Sequence, residues 1–212
     1  MTRSAWLAIA ALSTAVAGAS PARAVPNLIV NGSFEAPSAG GGWSLFANGS
    51  VPGWTSNNNE LEIDYTPILG GAEGSVAYHG AQSAEVDGST FDTLSQTVTG
   101  LTVGAKYTLS WAYGSRPGSG PQRLDVSFGG APVATNTSDG SGEVVGWTPN
   151  AYTVVATAPS ETLSFVARDV GGNPSVGNEL DAVSLTAVPE PASLCLIGSG
   201  LLGLGLLRRK RG

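Results

Sequence analysis

The sequence has a single cysteine, Cys195, a single histidine, His79, and a single methionine. A domain without paired cysteines has no disulfides, and the cysteine count also excludes a cysteine nucleophile in residues 25–187. One histidine excludes a zinc motif with two histidine ligands. A Ser-His-Asp triad would depend on His79, and no Gly-x-Ser-x-Gly motif accompanies it. Paired carboxylates for glycoside hydrolysis stay open, because the sequence does not give the distances between them.

Positive charge is also scarce. Residues 25–187 contain four basic side chains: Lys106, Arg116, Arg123 and Arg168. The chain has a net charge of −6 and a pI of about 4.6. These values argue against nucleic-acid binding and against binding of anionic membranes by this part of the chain. Without disulfides, an exported domain must be stabilised by its core or by a metal ion.

The first residues have the pattern of a secretory signal peptide. Arg3 provides a short positive region, residues 5–17 are apolar, and Ala22-Arg23-Ala24 is a small-x-small cleavage site. We therefore predict a signal peptide over residues 1–24 and a mature chain that begins at Val25. An uncleaved anchor is the alternative, which the short and alanine-rich apolar run disfavours.

The region between residues 25 and 187 alternates apolar and polar residues with a period of two. The pattern is clearest at 106–113, 123–128 and 181–185, and clusters of Gly, Pro, Asn and Asp separate the segments. Further segments at 27–31, 60–64, 83–87, 93–98, 152–157 and 162–168 bring the total to about nine or ten short strands. We predict an all-β fold, an antiparallel jelly-roll sandwich, over residues 25–187.

Two longer stretches lack this alternation and contain tryptophan. Residues 37–59 include Trp43 and Trp54, and residues 136–149 include Trp147. Long loops with aromatic side chains are often functional. The alternative is that these rings close the open ends of the sandwich.

The end of the chain has three parts in a fixed order. Val188-Pro189-Glu190-Pro191 is followed by an apolar run over 192–207 and by the basic residues Arg208, Arg209, Lys210 and Arg211. The prolines stop any regular element that arrives from upstream. As a helix the apolar run would span about 24 Å, slightly short of the ~30 Å hydrocarbon core. The basic residues would stay on the cytoplasmic side of the membrane.

This tail, over residues 188–212, resembles the PEP-CTERM sorting signal of Gram-negative bacteria. The resemblance implies a transmembrane helix over 192–207, transient residence in the inner membrane, and recognition by an exosortase-type transpeptidase. It also implies delivery of the processed protein to the cell surface or extracellular matrix. An ordinary tail anchor would explain the helix and the charges but not Val-Pro-Glu-Pro.

The mature region has motifs of its own. Asn27-Leu28-Ile29-Val30-Asn31-Gly32-Ser33-Phe34-Glu35 follows the signal peptide, and Glu179-Leu180-Asp181-Ala182-Val183-Ser184-Leu185 lies near the end. Together with Ser95-Gln96-Thr97-Val98 and Gly104-Ala105-Lys106-Tyr107-Thr108-Leu109-Ser110-Trp111, these residues are similar to the galactose-binding-domain-like jelly roll, a fold shared by several families of carbohydrate-binding modules. The resemblance implies that the opening and closing strands are neighbours and that Glu35 and Asp181 bind a structural calcium ion where they meet.

A physical argument also points to Asp181. By alternation Asp181 shares a face with Val183 and Leu185, so its carboxylate is expected to point towards the core. A buried carboxylate is costly unless it is paired or binds a metal, and no Lys or Arg is near in sequence. The alternative is that Asp181 accepts hydrogen bonds from backbone N–H groups at the end of a strand.

Glu60, Glu62 and Asp64 form a second acidic group with alternating spacing. Carboxylates two residues apart on a strand lie ~7 Å from one another, too far for the strand alone to hold one metal ion. We interpret them as a solvated face.

The predicted function is non-catalytic binding of carbohydrate, associated with exopolysaccharide. Sugars stack their apolar C–H faces on aromatic rings and use nearby polar side chains for their hydroxyl groups. Arg116 and the asparagines at 57–59 are possible polar partners. The predicted sugar platforms are Trp43, Trp54, Tyr65, Tyr78 and Trp147. A structural or adhesive matrix protein without specific sugar binding is the alternative, favoured if the aromatic rings all point inwards.

Overall fold

Residues 25–65 and 76–189, which the computed structural model describes, form eleven strands and no helix. The strands are β1 (Trp43–Phe46), β2 (Thr55–Ser56), β3 (Leu61–Tyr65), β4 (Gln82–Glu85), β5 (Thr93–Thr99), β6 (Lys106–Ser115), β7 (Gln122–Phe128), β8 (Ala131–Ser138), β9 (Thr148–Val155), β10 (Ser160–Ala167) and β11 (Asn178–Ala187). None of these described segments forms a helix with the length and apolarity needed to cross a bilayer.

The strands form two antiparallel sheets that face each other in a jelly-roll sandwich. Sheet A has the order β1-β3-β4-β11-β6-β9, and sheet B has the order β2-β5-β10-β7-β8. The predicted all-β fold is therefore confirmed. Strands β1, β2 and β8 lie wholly or largely in stretches where the sequence shows no alternation, so sequence analysis did not identify them.

The core lies between the sheets. In β6 the side chains of Tyr107, Leu109 and Trp111 are buried, and in β7 those of Leu124 and Val126 are buried. These are the residues that alternation assigns to one face of each strand, because successive side chains of a strand point to opposite sides of the sheet. The predicted inward faces of these two segments are therefore confirmed.

The segment that opens the mature region lies against the last strand. The N–H of Leu28 donates to the carbonyl of Leu185 (2.9 Å), and the N–H of Val183 donates to the carbonyl of Gly32 (2.8 Å). A Cβ on Gly32 would lie 2.0 Å from the Val183 oxygen, so only glycine permits this approach. The predicted proximity of the opening and closing segments is present, although residues 27–31 form no strand of their own.

Several sequence predictions lie outside the described residues. They are the signal peptide with its cleavage site at Ala22 and Ala24, and the tail from Glu190 onwards, including Pro191, the apolar run and the basic end at Arg208, Arg209, Lys210 and Arg211. They stay predictions.

Candidate functional site

A β-bulge in β11 decides where the Asp181 side chain points. Asp181 is opposite Ala112 and Ser184 is opposite Ser110, with a register shift between them. Ala182 takes a left-handed φ of 51°. Because the bulge adds a residue, Asp181 shares its face with Ser184 rather than with Val183 and Leu185. The prediction that Asp181 points into the core between the sheets is wrong, since strict alternation does not survive a bulge.

Asp181 is buried nonetheless, on the opposite side of sheet A. Its Oδ2 accepts a hydrogen bond from the N–H of His79 (2.7 Å), and its Oδ1 accepts one from the N–H of Ala182 (2.5 Å). Burial raises the pKa of Asp181 to about 7, although these hydrogen bonds act in the other direction; the negative charge of Glu35 raises it further. The alternative that Asp181 accepts backbone N–H groups is therefore observed.

Glu35 binds the same loop as Asp181. Its Oε1 accepts hydrogen bonds from the N–H groups of Ala81 (2.8 Å) and Gln82 (3.0 Å). Gly80 lies directly against this carboxylate with a φ of +80°, a position where a Cβ would clash with Oε1. The fold thus brings Glu35 and Asp181 to adjacent positions on residues 79–82. The donor set is carboxylate oxygen, which suits calcium, and Glu35 Oε2 is not used in the hydrogen bonds to Ala81 and Gln82.

Of the five predicted sugar platforms, Trp54 belongs to the core. Its side chain is 1% exposed, and its Nε1 donates to the carbonyl of Asn31 (3.1 Å). The ring packs against Phe34 at 5.1 Å and Phe165 at 6.2 Å between centroids. The prediction that Trp54 stacks on a sugar is wrong, because no ligand reaches a ring buried between the sheets.

Tyr65, at the end of β3, is partly buried, and its role as a sugar platform stays a prediction.

The asparagines at 57–59 shape a turn. Asn57 Oδ1 accepts from the N–H of Thr93 (2.7 Å), and Asn59 Oδ1 accepts from the N–H of Asn48 (3.0 Å). The side-chain Oδ1 atoms of Asn57 and Asn59 therefore bind backbone N–H groups, so these two residues stabilise the loop.

Trp43, Tyr78 and Trp147 lie on or above the outer face of sheet A, the side away from the core. Trp43 is 58% exposed and pairs with Asp64 across β1 and β3. Trp147 lies over Gly114 of β6, where a Cβ would be 3.3 Å from its ring. Tyr78 is 48% exposed and contacts Trp147 edge-on at 6.2 Å. Trp147 Nε1 donates to the carbonyl of Val76 (2.7 Å), which fixes its ring in place.

Four carboxylates lie on this outer face, and we call Glu62, Asp64, Glu85 and Glu179 the acidic cluster. The registers place Glu62 opposite Glu85 and Glu85 opposite Glu179, on three adjacent strands. Strand order puts the cluster between β1, which carries Trp43, and β6, under Trp147. All four side chains are buried. The interpretation of Glu62 and Asp64 as a solvated face is therefore wrong, and only Glu60 of that group is exposed.

Arg116 is the cation that contacts this cluster. Its Nη1 forms a short ion pair with Glu85 and lies 3.6 Å from Glu62 and 3.9 Å from Asp64. The sequence named Arg116 as a polar partner for sugar, but in the structure it pairs with carboxylates. Glu85 also accepts a hydrogen bond from the N–H of Gly177, and Glu179 Oε2 accepts one from the Ser83 hydroxyl (2.7 Å).

Burial dominates the electrostatics of the cluster. It raises the pKa of Glu62 to about 8, helped by the nearby charge of Asp64. Burial also raises the pKa of Glu85 and of Glu179 well above the ordinary range, and Arg116 only partly opposes this for Glu85. The same carboxylates hold the pKa of Arg116 above its usual value despite its own burial. These shifts favour the protonated form of the carboxyl groups, because burial disfavours negative charge that Arg116 alone does not balance.

Sequence analysis missed Glu85 and Glu179 as members of this site. The sequence pattern that could have pointed to the site is a pair of acidic or polar residues two positions apart, which occurs in three segments. These are Glu62-x-Asp64, Ser83-x-Glu85 and Glu179-x-Asp181. That spacing gives the face of each strand, but it does not say which strands are neighbours.

Comparison with known proteins identifies the tail. Residues 187–211 match the PEP-CTERM protein-sorting motif, so the chain carries this sorting signal. The described part of the chain is similar to the CBM22-1 xylan-binding domain of Paenibacillus barcinonensis Xyn10C, with a TM-score of 0.49, 18% identity, and coverage of 80% of this chain and 99% of that domain. It is also similar to TmCBM61, solved with β-1,4-galactotriose, with a TM-score of 0.47, 15% identity, and coverage of 77% and 99%.

Two curated proteins have segments similar in sequence. A multifunctional-autoprocessing repeats-in-toxin protein of Vibrio vulnificus is 30% identical over 169 residues, and halomucin of Haloquadratum walsbyi is 30% identical over 178 residues. The matches cover 79% and 78% of this chain but only 3% and 2% of the relatives. The chain thus spans a small part of the length of these proteins.

Proposed function

We propose that this is an exported bacterial protein of the cell surface or extracellular matrix, whose sandwich binds polysaccharide without catalysing a reaction on it. The observation that carries the proposal is the outer face of sheet A, which presents the exposed aromatic rings of Trp43 and Tyr78. Exposed aromatic rings offer the flat apolar surface on which sugar rings stack. Polymer made by the same cell is the expected ligand.

The sorting signal supports the proposed location. The last strand, β11, ends at Ala187, and the N–H of Val188 still donates to the carbonyl of Lys106 (2.9 Å). Pro189 follows immediately, so the sheet stops where the sorting motif begins. Processing by an exosortase-type enzyme in this motif would leave every strand of the sandwich in place.

A structural calcium ion at Glu35 and Asp181 is part of the proposal. The ion would neutralise two adjacent carboxylates and tie the opening segment to β11 and to residues 79–82. Asp181→Asn is expected to reduce the calcium bound per molecule by one ion and to lower the melting temperature measured in calcium. Equal calcium content in the two proteins, measured by atomic emission after dialysis, would contradict this assignment.

The rival function is a structural or adhesive coat protein. Trp54 and Trp111 point into the core, as that alternative expects, but Trp43 and Tyr78 do not. The distinguishing experiment is a polysaccharide pull-down with the secreted mature protein, including polymer from the producing cell. We expect Trp43→Ala to weaken binding about fivefold, since one aromatic contact contributes roughly 1 kcal/mol.

The matched control is Val103→Ala, which removes an equally exposed apolar side chain in the turn between β5 and β6. Its binding should equal that of the unmodified protein. Absence of binding to every polysaccharide tested would favour the coat protein. Release of new reducing ends from a bound polysaccharide would show catalysis and contradict the proposal of a non-catalytic module.

A further inference from the structure

The acidic cluster has the dimensions of a cation site. Single carboxylate oxygens of Glu62, Asp64 and Glu85 all lie within 4.8 Å of one another. Calcium binds oxygen at about 2.3–2.6 Å, so two ligands on opposite sides of one ion stand about 4.6–5.2 Å apart. The strand alone would separate these groups by ~7 Å. The pairing of β3 with β4 places Glu85 opposite Glu62, so that the third carboxylate comes from the neighbouring strand.

A second observation points to a missing partner. Glu179 is 0% exposed, and its Oε1 has no hydrogen-bond partner. Its carboxylate interacts with that of Asp64, whose Oδ2 also lacks a hydrogen-bond partner and is buried. Two oxygens that are both hydrogen-bond acceptors cannot form a hydrogen bond with each other. A buried acceptor without a donor lowers the stability of the folded protein. The pair therefore needs either a shared proton or a cation.

Arg116 does not fill this role. Its Nη1 pairs with Glu85, and its nearest contact with Asp64 is an ion pair at 3.9 Å, beyond hydrogen-bonding distance. Its Nε has no partner, so the guanidinium is not positioned to bridge Asp64 and Glu179. Four buried carboxylates against one guanidinium leave an excess of negative charge that burial makes unfavourable.

We propose that the acidic cluster is a second calcium site, in which Asp64 and Glu179 are ligands and Glu62 and Glu85 complete the set. The cluster offers only oxygen ligands, which excludes a zinc site built on sulfur or imidazole. Magnesium requires near-ideal octahedral geometry and retains several waters, whereas calcium accepts irregular sets of carboxylates. The compartment to which the sorting signal directs the protein supplies calcium. The site is separate from Glu35 and Asp181 and does not depend on sugar binding.

The test uses the secreted mature protein, stripped with a chelator and titrated with calcium in a calorimeter. Glu179→Gln and Asp64→Asn keep the shape of the side chain and remove its charge. We expect each to bind one calcium ion fewer than the unmodified protein, or to bind it at least tenfold more weakly. The matched control is Glu143→Gln, which removes the charge of an exposed carboxylate outside both proposed calcium sites and should leave the number of bound calcium ions and their affinity unchanged.

Melting temperatures separate a cation from a shared proton. In chelator, Glu179→Gln removes an uncompensated buried charge and should melt at the same or a higher temperature than the unmodified protein. When calcium is added, the melting temperature of the unmodified protein should rise by several degrees more than that of Glu179→Gln. An ion that binds only the native state stabilises that state. An unchanged calcium count together with unchanged affinity in Glu179→Gln and Asp64→Asn would overturn the proposal and leave the shared proton as the explanation.

Discussion

Trp43 and Trp54 come from the same irregular stretch of sequence but have opposite environments. Trp54 closes the core beside Phe34 and Phe165, whereas Trp43 stands on the edge strand β1 with most of its side chain in solvent. Residue type alone does not distinguish these roles, since tryptophan suits both a core and a sugar-binding surface.

Trp54→Ala should lower the free energy of unfolding by roughly 3–5 kcal/mol, because it removes a large buried ring and leaves a cavity. Trp43→Ala should change it by less than about 0.5 kcal/mol, as is usual for surface substitutions. Urea denaturation followed by circular dichroism measures both. Similar losses for the two variants would mean that Trp43 is also a core residue.

Asp125 forms the centre of a charged network on sheet B. Its carboxylate accepts hydrogen bonds from Arg123 Nε (2.9 Å), Thr135 Oγ1 (2.9 Å) and Arg168 Nε (2.9 Å). Partial burial would raise the pKa of Asp125, but these three donors outweigh it and hold the pKa below its ordinary value. In the unfolded state Asp125 binds a proton more readily than in the folded state.

The stability that Asp125 contributes is therefore present above about pH 4 and is lost as the pH falls through its folded-state pKa. Asp125→Asn should remove this dependence, with a loss near neutral pH of at most about 1 kcal/mol because both arginines are exposed. Unfolding by urea between pH 2 and pH 6 would measure it. A difference between the two proteins that stays constant across this range would contradict the prediction.

At the scale of elements, alternation in the sequence is informative where strands are regular. The inward residues of β6 and β7 follow from the period of two alone. The same rule fails in β11, because the bulge between Asp181 and Ser184 changes the face of Asp181. It also fails to explain why Glu62 is buried, since that depends on β4 lying beside β3 and on β11 lying beside β4. Local pattern thus gives the face of a strand, and only the topology gives its neighbours.

The contact between the opening segment and β11 tests this view of the topology. Gly32→Ala would place a Cβ 2.0 Å from the carbonyl oxygen of Val183, so the two segments must separate. We expect a loss of several kcal/mol, in the range of severe packing defects. Gly146→Ala is the matched control, because no atom lies within 4 Å of its added Cβ. It should be neutral or slightly stabilising, and equal melting temperatures for the two variants would refute the close contact.

At the scale of the whole molecule, the end of the sandwich and the beginning of the sorting signal coincide. Val188 makes the last backbone hydrogen bond to sheet A, and the PEP-CTERM match covers residues 187–211. The sequence alone identified this signal, because its order of motif, apolar run and basic end is linear. The calcium-binding proposals depend instead on contacts between residues distant in sequence, such as Glu35 with residues 79–82, which only the fold or a family resemblance supplies.

Processing at this boundary gives a measurable mass. Protein recovered from outside the producing cell should begin at Val25 and lack residues 192–212, and intact-mass spectrometry would show both ends. Because β11 ends before the motif, the processed protein should have the same circular dichroism spectrum and unfolding midpoint as the unprocessed protein. Replacement of Pro189 and Pro191 by alanine should leave the sandwich folded but slow the processing, so that the full-length chain accumulates with the cells. Secreted protein that retains the complete apolar run and basic end would show that the tail is not removed.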